Sequence, residues 1–246
     1  MSDHLIQKFK STFIILLGVW LFVTTSLVLV FTWSNRIAHA EVSMGTGLIS
    51  VWVFLCGALM FLFREPIRTF VLTVRLDWRI KLVLFATLLA MVEEAITTAL
   101  TNLAPLFGVK VGQAYITAST NYFDVILHHS VIVFIPWFIA WAWILDRYDF
   151  SPFWVFFLTG LNGLLAETLT FGLQHLGEFG LWIFVYGLMV YLPAYTVPSD
   201  RRVLPPKFRH AFLAFIMPFL FSIPWALTIH LFFPDHPAIH FPPIRI

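Results

Sequence analysis

The chain has 246 residues, of which 60% are hydrophobic and 11% are charged, and its formal net charge is only +2. This composition excludes an ordinary soluble domain and offers no basic surface for nucleic acid, so we expect a chain whose solvent is lipid. The single cysteine excludes an intramolecular disulfide and a cysteine-cluster metal site. Because apolar runs fill nearly the whole sequence, residues 1–246 are predicted to form one integral membrane domain.

Seven apolar runs have lengths near the roughly 20 residues that a helix needs to cross a bilayer. They cover residues 13–33, 42–63, 82–100, 125–145, 152–171, 179–197 and 211–233. Backbone amides in lipid must be satisfied within their own segment, so each run is expected to be a helix. The predicted fold is an all-α, polytopic transmembrane helix bundle with about seven spans.

A weaker apolar segment, residues 103–118, follows the third run. It contains Pro105, Gly108, Lys110 and Gly112, which disfavour a continuous helix exposed to lipid. We therefore expect a re-entrant or interfacial segment here instead of an eighth span.

The distribution of Lys and Arg predicts the orientation, because these residues are retained on the cytoplasmic side. With the N-terminus inside, twelve of the 15 basic residues fall in inner segments and three in outer ones. The inner set is Lys8, Lys10, Arg64, Arg68, Arg75, Arg79, Lys81, Arg147, Arg201, Arg202, Lys207 and Arg209, and the outer set is Arg36, Lys110 and Arg245. We expect an N-in, C-out protein of the cell membrane, either a plasma or an inner membrane.

Five ionisable residues lie inside the predicted spans: Glu93, Glu94, His128, His129 and Glu167. A rise of about 1.5 Å per residue places all of them on the outer side of the bilayer midplane. A charge at the centre of a span costs about 2.5–3.5 kcal/mol, so these side chains are expected to face one another or water. Since adjacent helical residues point about 100° apart, at most one of the two histidines is expected to face Glu94.

Carboxylates and imidazoles are the ligands of zinc and related divalent ions, and a catalytic site leaves one position for water. We predict His128 or His129, together with Glu167, as metal ligands, with Glu93 or Glu94 as the general base. Asn162, near the midplane, is a candidate oxyanion or substrate donor. The spans carry no Lys or Arg at this depth, so a metal, a proton or a ligand cation is expected to neutralise the carboxylates.

The order of Glu93-Glu94, then His128 or His129, then Asn162 resembles the CAAX-type intramembrane proteases, which pair a Glu-Glu helix with His and Asn on later helices. The resemblance implies a membrane-embedded protease. Thr98 stands where the family has an Arg four residues after the second Glu, and neither His follows a Phe by four residues.

Several functions are open from the sequence, and whether the protein is an enzyme is one of the open questions. A metal-dependent membrane hydrolase or protease explains carboxylates and histidines at one depth. A transporter or proton-coupled carrier uses the same residues as a relay, and a non-enzymatic subunit of a membrane complex uses them as interhelical contacts. A haem-binding subunit, with His129 and His230 as axial ligands, leaves the glutamates unexplained. The expected partners are membrane lipids and an unknown membrane-embedded substrate or protein, without nucleic acid.

Overall fold

The structure is a computed structural model that describes residues 3–241. Within this range the chain forms a bundle of helices without a β-strand, and 7 helices are long and apolar enough to cross a membrane. The helices are α1 (Asp3–Thr32), α2 (Arg36–Leu62), α3 (Arg64–Thr73), α4 (Trp78–Asn102), α5 (Tyr122–Leu145), α6 (Pro152–Phe171), α7 (Phe179–Tyr195) and α8 (Phe208–Phe232). The predicted all-α bundle with seven spans is confirmed.

Several helices begin at polar residues that bind the first free backbone amides. The Asn35 side chain accepts hydrogen bonds from the amides of Ile37 and Ala38 at the start of α2. The Asp77 side chain accepts a hydrogen bond from the amide of Arg79 at the start of α4. The Asn121 side chain accepts one from the amide of Phe123 at the start of α5. These caps explain why each helix starts a few residues before the apolar run that predicted it.

Two helices contain a wide, π-type turn, in which hydrogen bonds join residues five apart instead of four. In α2 this geometry covers Ile49–Cys56, and in α5 it covers Val125–His129. The remainder of α5, Ser130–Leu145, is regular α-helix and continues past Pro136. The wide turn of α5 therefore lies at the end of the span that carries the two adjacent histidines.

The centre of the bundle is α7, which packs against α1, α2, α4 and α6. Glycines bring α6 and α7 into close approach, since a Cβ added at Gly160 would lie 2.6 Å from the Cα of Ile183. Trp52 of α2 is fully buried, and its indole Nε1 donates a hydrogen bond of 3.1 Å to the carbonyl of Val185. Helix α7 is thus the central helix against which α1, α2, α4 and α6 are positioned.

The two ends of the bundle differ in charge, as the sequence predicts. At the end that we name the basic end, Arg79 of α4 binds Asp146, which follows α5. In the loop before α8, Arg201 donates to the Leu145 carbonyl and lies 3.2 Å from Asp149. Burial lowers the pKa of Arg201 below its ordinary value. The prediction that this end faces the cytoplasm stays a prediction.

Residues 103–118 form no span, in agreement with the expected re-entrant or interfacial segment. A short 3₁₀ turn, Ala104–Phe107, leads into an irregular loop that folds back along α4. The amide of Ile116 donates to Thr101 Oγ1 at 3.2 Å, and Thr117 Oγ1 lies 3.5 Å from Glu94 Oε2. Since Glu94 is eight residues before the end of α4, the loop descends about 12 Å beside this helix.

The chain after α8 turns back over this loop, and we name residues 234–241 the C-terminal strap. The amide of His240 donates a 2.9 Å hydrogen bond to the carbonyl of Ala118. The ring of Phe241 stacks on Tyr115, with 4.5 Å between centroids. Burial, and next the nearby Glu41, raise the pKa of Tyr115. The strap and the loop meet at the end of the bundle opposite the basic end, which we name the histidine end.

Candidate metal centre and buried carboxylates

Four side chains converge on one point at the histidine end: Asp124, His129, His236 and His240. Their possible ligand atoms all lie within 4.8 Å of one another, so the group could hold a metal ion. The Nε2 atoms of His236 and His240 lie 3.1 and 3.0 Å from the Asp124 carboxylate oxygens. His129 Nε2 lies 3.7 Å from Asp124 Oδ2, and the two strap histidines are 3.4 Å apart.

Two structural elements bring these ligands together. Asp124 and His129 are five residues apart on α5, a separation that would place them about 140° apart on a regular helix. The wide turn of Val125–His129 brings residues at this spacing to neighbouring positions. His236 and His240 come from the C-terminal strap, which is held by the backbone contact of His240 and the stacking of Phe241.

The spacing and the free lone pairs fit a tetrahedral ion. Zinc bonds of about 2.0–2.1 Å place tetrahedral ligands about 3.3 Å from one another. The four individual distances given above, 3.0–3.7 Å, lie close to this value, and the whole group of ligand atoms fits within 4.8 Å. His129 Nε2 is buried and has no hydrogen-bond partner within residues 3–241. Such an atom costs free energy unless it is bound, and a metal would bind it. The His240 side chain is 32% exposed, so the cluster reaches the protein surface.

His128 is a fifth group at the same centre. Its Nδ1 lies 3.1 Å from Asp124 Oδ1, and its ring lies 4.4 Å from the ring of His236. Both adjacent histidines therefore face Asp124, whereas a regular helix would turn them about 100° apart. His128 reaches Asp124 at the four-residue spacing of one helical face, and the wide turn brings His129, five residues on, to the same carboxylate.

The three predicted glutamates form a second, deeper cluster. Glu93 and Glu94 of α4 are 4% and 6% exposed, and both interact electrostatically with Glu167 of α6. The Tyr186 hydroxyl of α7 donates a hydrogen bond to Glu167 Oε1. Glu167 is thus held by Tyr186 and acts on the other two glutamates through its charge, while the two predicted histidine ligands belong to the surface cluster.

The two adjacent glutamates have different neighbours. Glu94 accepts a 3.1 Å hydrogen bond from Thr97, and Thr117 and Ser130 lie within hydrogen-bonding reach of its carboxylate. The principal interactions of Glu93 are with the carboxylates of Glu94 and Glu167. Glu94 therefore faces α5 and the re-entrant loop, and the described contacts of Glu93 differ from these.

Glu94 is joined to the surface cluster by two short connections. Ser130, which reaches Glu94, directly follows the candidate ligand His129 in the chain. In the re-entrant loop, Thr117 contacts Glu94 and Ser119 hydrogen-bonds to Asp124. Two residues of chain span at most about 7 Å, so the two clusters are close neighbours.

The hydrogen bond of Asn162 is to α8 and not to a residue of either cluster. Asn162 is completely buried in α6, and its Nδ2 donates a 2.8 Å hydrogen bond to the carbonyl of Phe215 in α8. Its Oδ1 atom has no hydrogen-bond partner among the described residues. The visible role of Asn162 is to connect α6 to α8.

Glu167 has a second set of neighbours toward the surface of the histidine end. It interacts electrostatically with His175 and Glu178. His175 Nδ1 lies 2.9 Å from Glu178 Oε2, which also accepts a hydrogen bond from Trp182 Nε1. Ionisable groups therefore extend from this surface to the buried carboxylates.

The sequence patterns did not indicate Asp124, His236 or His240 as candidate ligands. The available signal was the His236-Pro-Ala-Ile-His240 spacing, which matches the three-residue interval of many zinc histidine pairs. These two histidines lie beyond the last apolar run, so a search for ionisable residues inside the predicted spans does not include them.

The fold and this cluster define a multi-pass integral membrane protein with a candidate metal centre at one end of its bundle. Comparison with protein-family models, with curated proteins and with solved structures finds no match to the chain.

Proposed function

We propose that the protein is a metal-dependent membrane hydrolase whose divalent ion, such as zinc, binds at the histidine end. The observation that carries this proposal is the convergence of three imidazole nitrogens on the Asp124 carboxylate, with the buried His129 Nε2 left without a hydrogen bond. A histidine-rich set with one carboxylate is a ligand set of zinc. The predicted site of action is the outer face of a cell membrane.

Three protein ligands suffice for a catalytic zinc, so one of the surrounding imidazoles can yield its place to water. Asp124 and His129 are anchored by α5, whereas His236 and His240 lie on the strap and His128 is also near. An ion held here would lower the pKa of a bound water, which supplies hydroxide near neutral pH. The residues of α5 would fix the ion, and the exposed strap side would admit substrate.

Glu94 is our choice for the general base. It is the buried glutamate whose neighbours, Thr117 and Ser130, lead to residues adjoining the cluster. A base can act directly or through one water. Glu93 and Glu167 would then set the charge around it, and Tyr186 would hold Glu167 in position.

Metal analysis of the purified protein tests the proposal first. We expect about one zinc per chain after equilibration with zinc and removal of excess, and loss of this ion in His129→Ala and in His236→Ala. His230→Ala is the matched control, since His230 is exposed on α8 near the same end. Zinc retention in all three variants, or no zinc in the unmodified protein, would refute the metal centre.

The paired glutamates test the hydrolytic step. With ester and peptide substrates in liposomes, Glu94→Gln should abolish turnover while zinc content and folding stay unchanged. Glu93→Gln should be much less damaging, because the two side chains face different neighbours. Equal and negligible effects on turnover in zinc-loaded protein would refute the role of Glu94.

A proton-coupled carrier is the second candidate, because ionisable groups extend from His175 and Glu178 through Glu167 to Glu93. Toward the basic end, however, α4 presents Ala86 and Ala90, both fully buried. A carrier would acidify or alkalinise the lumen of proteoliposomes under a metal gradient, and a hydrolase would leave the luminal pH constant.

A further inference from the structure

The candidate metal centre lies at the boundary between the hydrocarbon of the bilayer and the head groups. Helix α5 has 24 residues and is about 36 Å long, so it extends about 3 Å beyond each face of a hydrocarbon core of about 30 Å. Asp124 is the third residue of α5 and falls at this boundary, and His129 falls about 7 Å below it. His236 and His240 lie on the strap, beyond the end of α8. An ion bound by these groups is thus held close to the boundary.

One border of the centre consists of apolar side chains that face the lipid. Phe123 and Leu127 of α5 are exposed and, being four residues apart, share one face of the helix. Each directly precedes a residue of the centre, Asp124 or His128, so this apolar face adjoins the face that carries those two groups. The ring of His128 also packs against the exposed Phe233, directly before the strap, with 5.2 Å between centroids. A lipid chain that contacts this border therefore lies beside the centre.

The border toward the end of the bundle is polar. Asn121, directly before α5, and Asp235 of the strap are both exposed, as is His240. Water can therefore reach the centre from this side. The centre lies between a polar and an apolar border, and this position suits an amphiphile whose labile bond joins its apolar part to its polar part.

A glycerolipid carries its carboxylic esters at this depth, because each ester joins an acyl chain to the head-group region. A peptide fits the position less well. The amides of a spanning peptide are hydrogen-bonded along its own helix, and an extended peptide is commonly held by the edge of a β-sheet. Residues 3–241 contain no β-strand that could hold one. The surroundings of the centre therefore favour a lipid ester over a peptide.

We propose that the substrate of this centre is a diacyl glycerolipid of the leaflet at the histidine end, a proposal that rests on the hydrolytic function above. The hydroxyl group of water adds to the ester carbonyl carbon, and the bond from this carbon to the glycerol oxygen breaks. The remaining proton of the water passes to that oxygen through Glu94. The products are a fatty acid and a lysolipid, and water is the only co-reactant.

Two lipids with the same head group and the same ester linkage test this substrate class. Zinc-loaded protein would receive either dioleoyl phosphatidylcholine in mixed micelles or the water-soluble dibutyroyl phosphatidylcholine, and the fatty acid released would be measured by mass spectrometry. The dioleoyl lipid should be hydrolysed at least about tenfold faster at equal ester concentration, because its long chains hold it beside the apolar border. Chelation of zinc should stop the hydrolysis.

A transmembrane peptide, given in the same micelles, completes the comparison. Zinc-dependent hydrolysis of this peptide or of the dibutyroyl lipid, without faster hydrolysis of the dioleoyl lipid, would overturn the lipid substrate and leave the hydrolytic function standing. No zinc-dependent hydrolysis of any of the three compounds would overturn both.

Leu127→Asn tests the apolar border itself. A polar side chain at this position should reduce the preference for the dioleoyl lipid over the dibutyroyl lipid at least about threefold. Leu84→Asn is the matched control, because both leucines are 56% exposed and Leu84 lies in the half of α4 toward the basic end. Zinc content and thermal unfolding check that each variant is loaded and folded. Equal preferences in the two variants would refute the role of this border.

Discussion

Gly163 of α6 lies directly against the ring of Tyr186 of α7, so closely that a Cβ at residue 163 would overlap the ring atoms. The hydroxyl of the same tyrosine donates a hydrogen bond to Glu167, one turn further along α6. The absence of a side chain at Gly163 therefore determines where the tyrosine lies, and the tyrosine in turn holds the buried carboxylate.

The first prediction concerns Gly163→Ala. The added methyl group must displace the tyrosine ring, and such overpacking costs about 1–3 kcal/mol. Thermal unfolding in detergent should show a lower transition temperature. Gly45→Ala is the control, because nothing lies within 4 Å of a Cβ there and alanine favours a helix. A Gly163→Ala protein as stable as the Gly45→Ala protein would contradict the packing argument.

The second prediction concerns the C-terminal strap. Because it supplies His236 and His240, a bound ion would tie it to α5. Chelation should increase hydrogen exchange in residues 234–241 and leave exchange in the core of α7 unchanged. His236→Ala should show fast strap exchange with or without zinc. Exchange of the strap that is insensitive to zinc in the unmodified protein would show that the ion does not bind to it.

The third prediction concerns Arg201 at the basic end, which binds the Leu145 carbonyl and Asp149. Its guanidinium also lies 5.2 Å from the ring of Trp78. Arg201→Gln should lower the free energy of unfolding by about 1.5–3 kcal/mol, the usual contribution of hydrogen bonds to a charged group. Arg202→Gln, with an exposed side chain, should change it by less than about 0.5 kcal/mol. Similar losses in both variants would argue against these contacts.

The fourth prediction concerns orientation. Since basic residues collect at one end, Arg75→Cys should be shielded from a membrane-impermeant thiol reagent in intact cells, and Gln113→Cys should react. The unmodified chain measures the background from Cys56, which is partly buried. The opposite labelling pattern would place the histidine end in the cytoplasm.

The spans could be predicted from hydropathy because lipid imposes the same requirement on every segment that crosses it. Helical rise alone predicts a common depth for Glu93, Glu94 and Glu167, and that common depth stays a prediction. That Glu94 is the glutamate that faces α5 and the re-entrant loop could not be predicted, because it depends on how α4 is rotated against its neighbours.

The two ligands of the strap, His236 and His240, could not be predicted from sequence patterns for a different reason. The return of residues 234–241 over the bundle rests on the His240 contact to Ala118 and the stacking of Phe241 on Tyr115. Both are long-range contacts with a loop that has no regular structure, and no hydrophobic period encodes them. The wide turn of α5 likewise departs from the regular period of 3.6 residues per turn, so helical periodicity does not predict it.

That wide turn links the shape of α5 to the occupancy of the centre. Asp124 and His129 are neighbours only while the turn contains its extra residue, and tightening to a regular helix would carry His129 to a different face. An ion bridging the two would stabilise the wide register by its own binding free energy, and removal of the ion would release the helix to rewind. If the proposed ion binds there, rotation of the first turn of α5 would be thermodynamically coupled to the metal concentration at the histidine end.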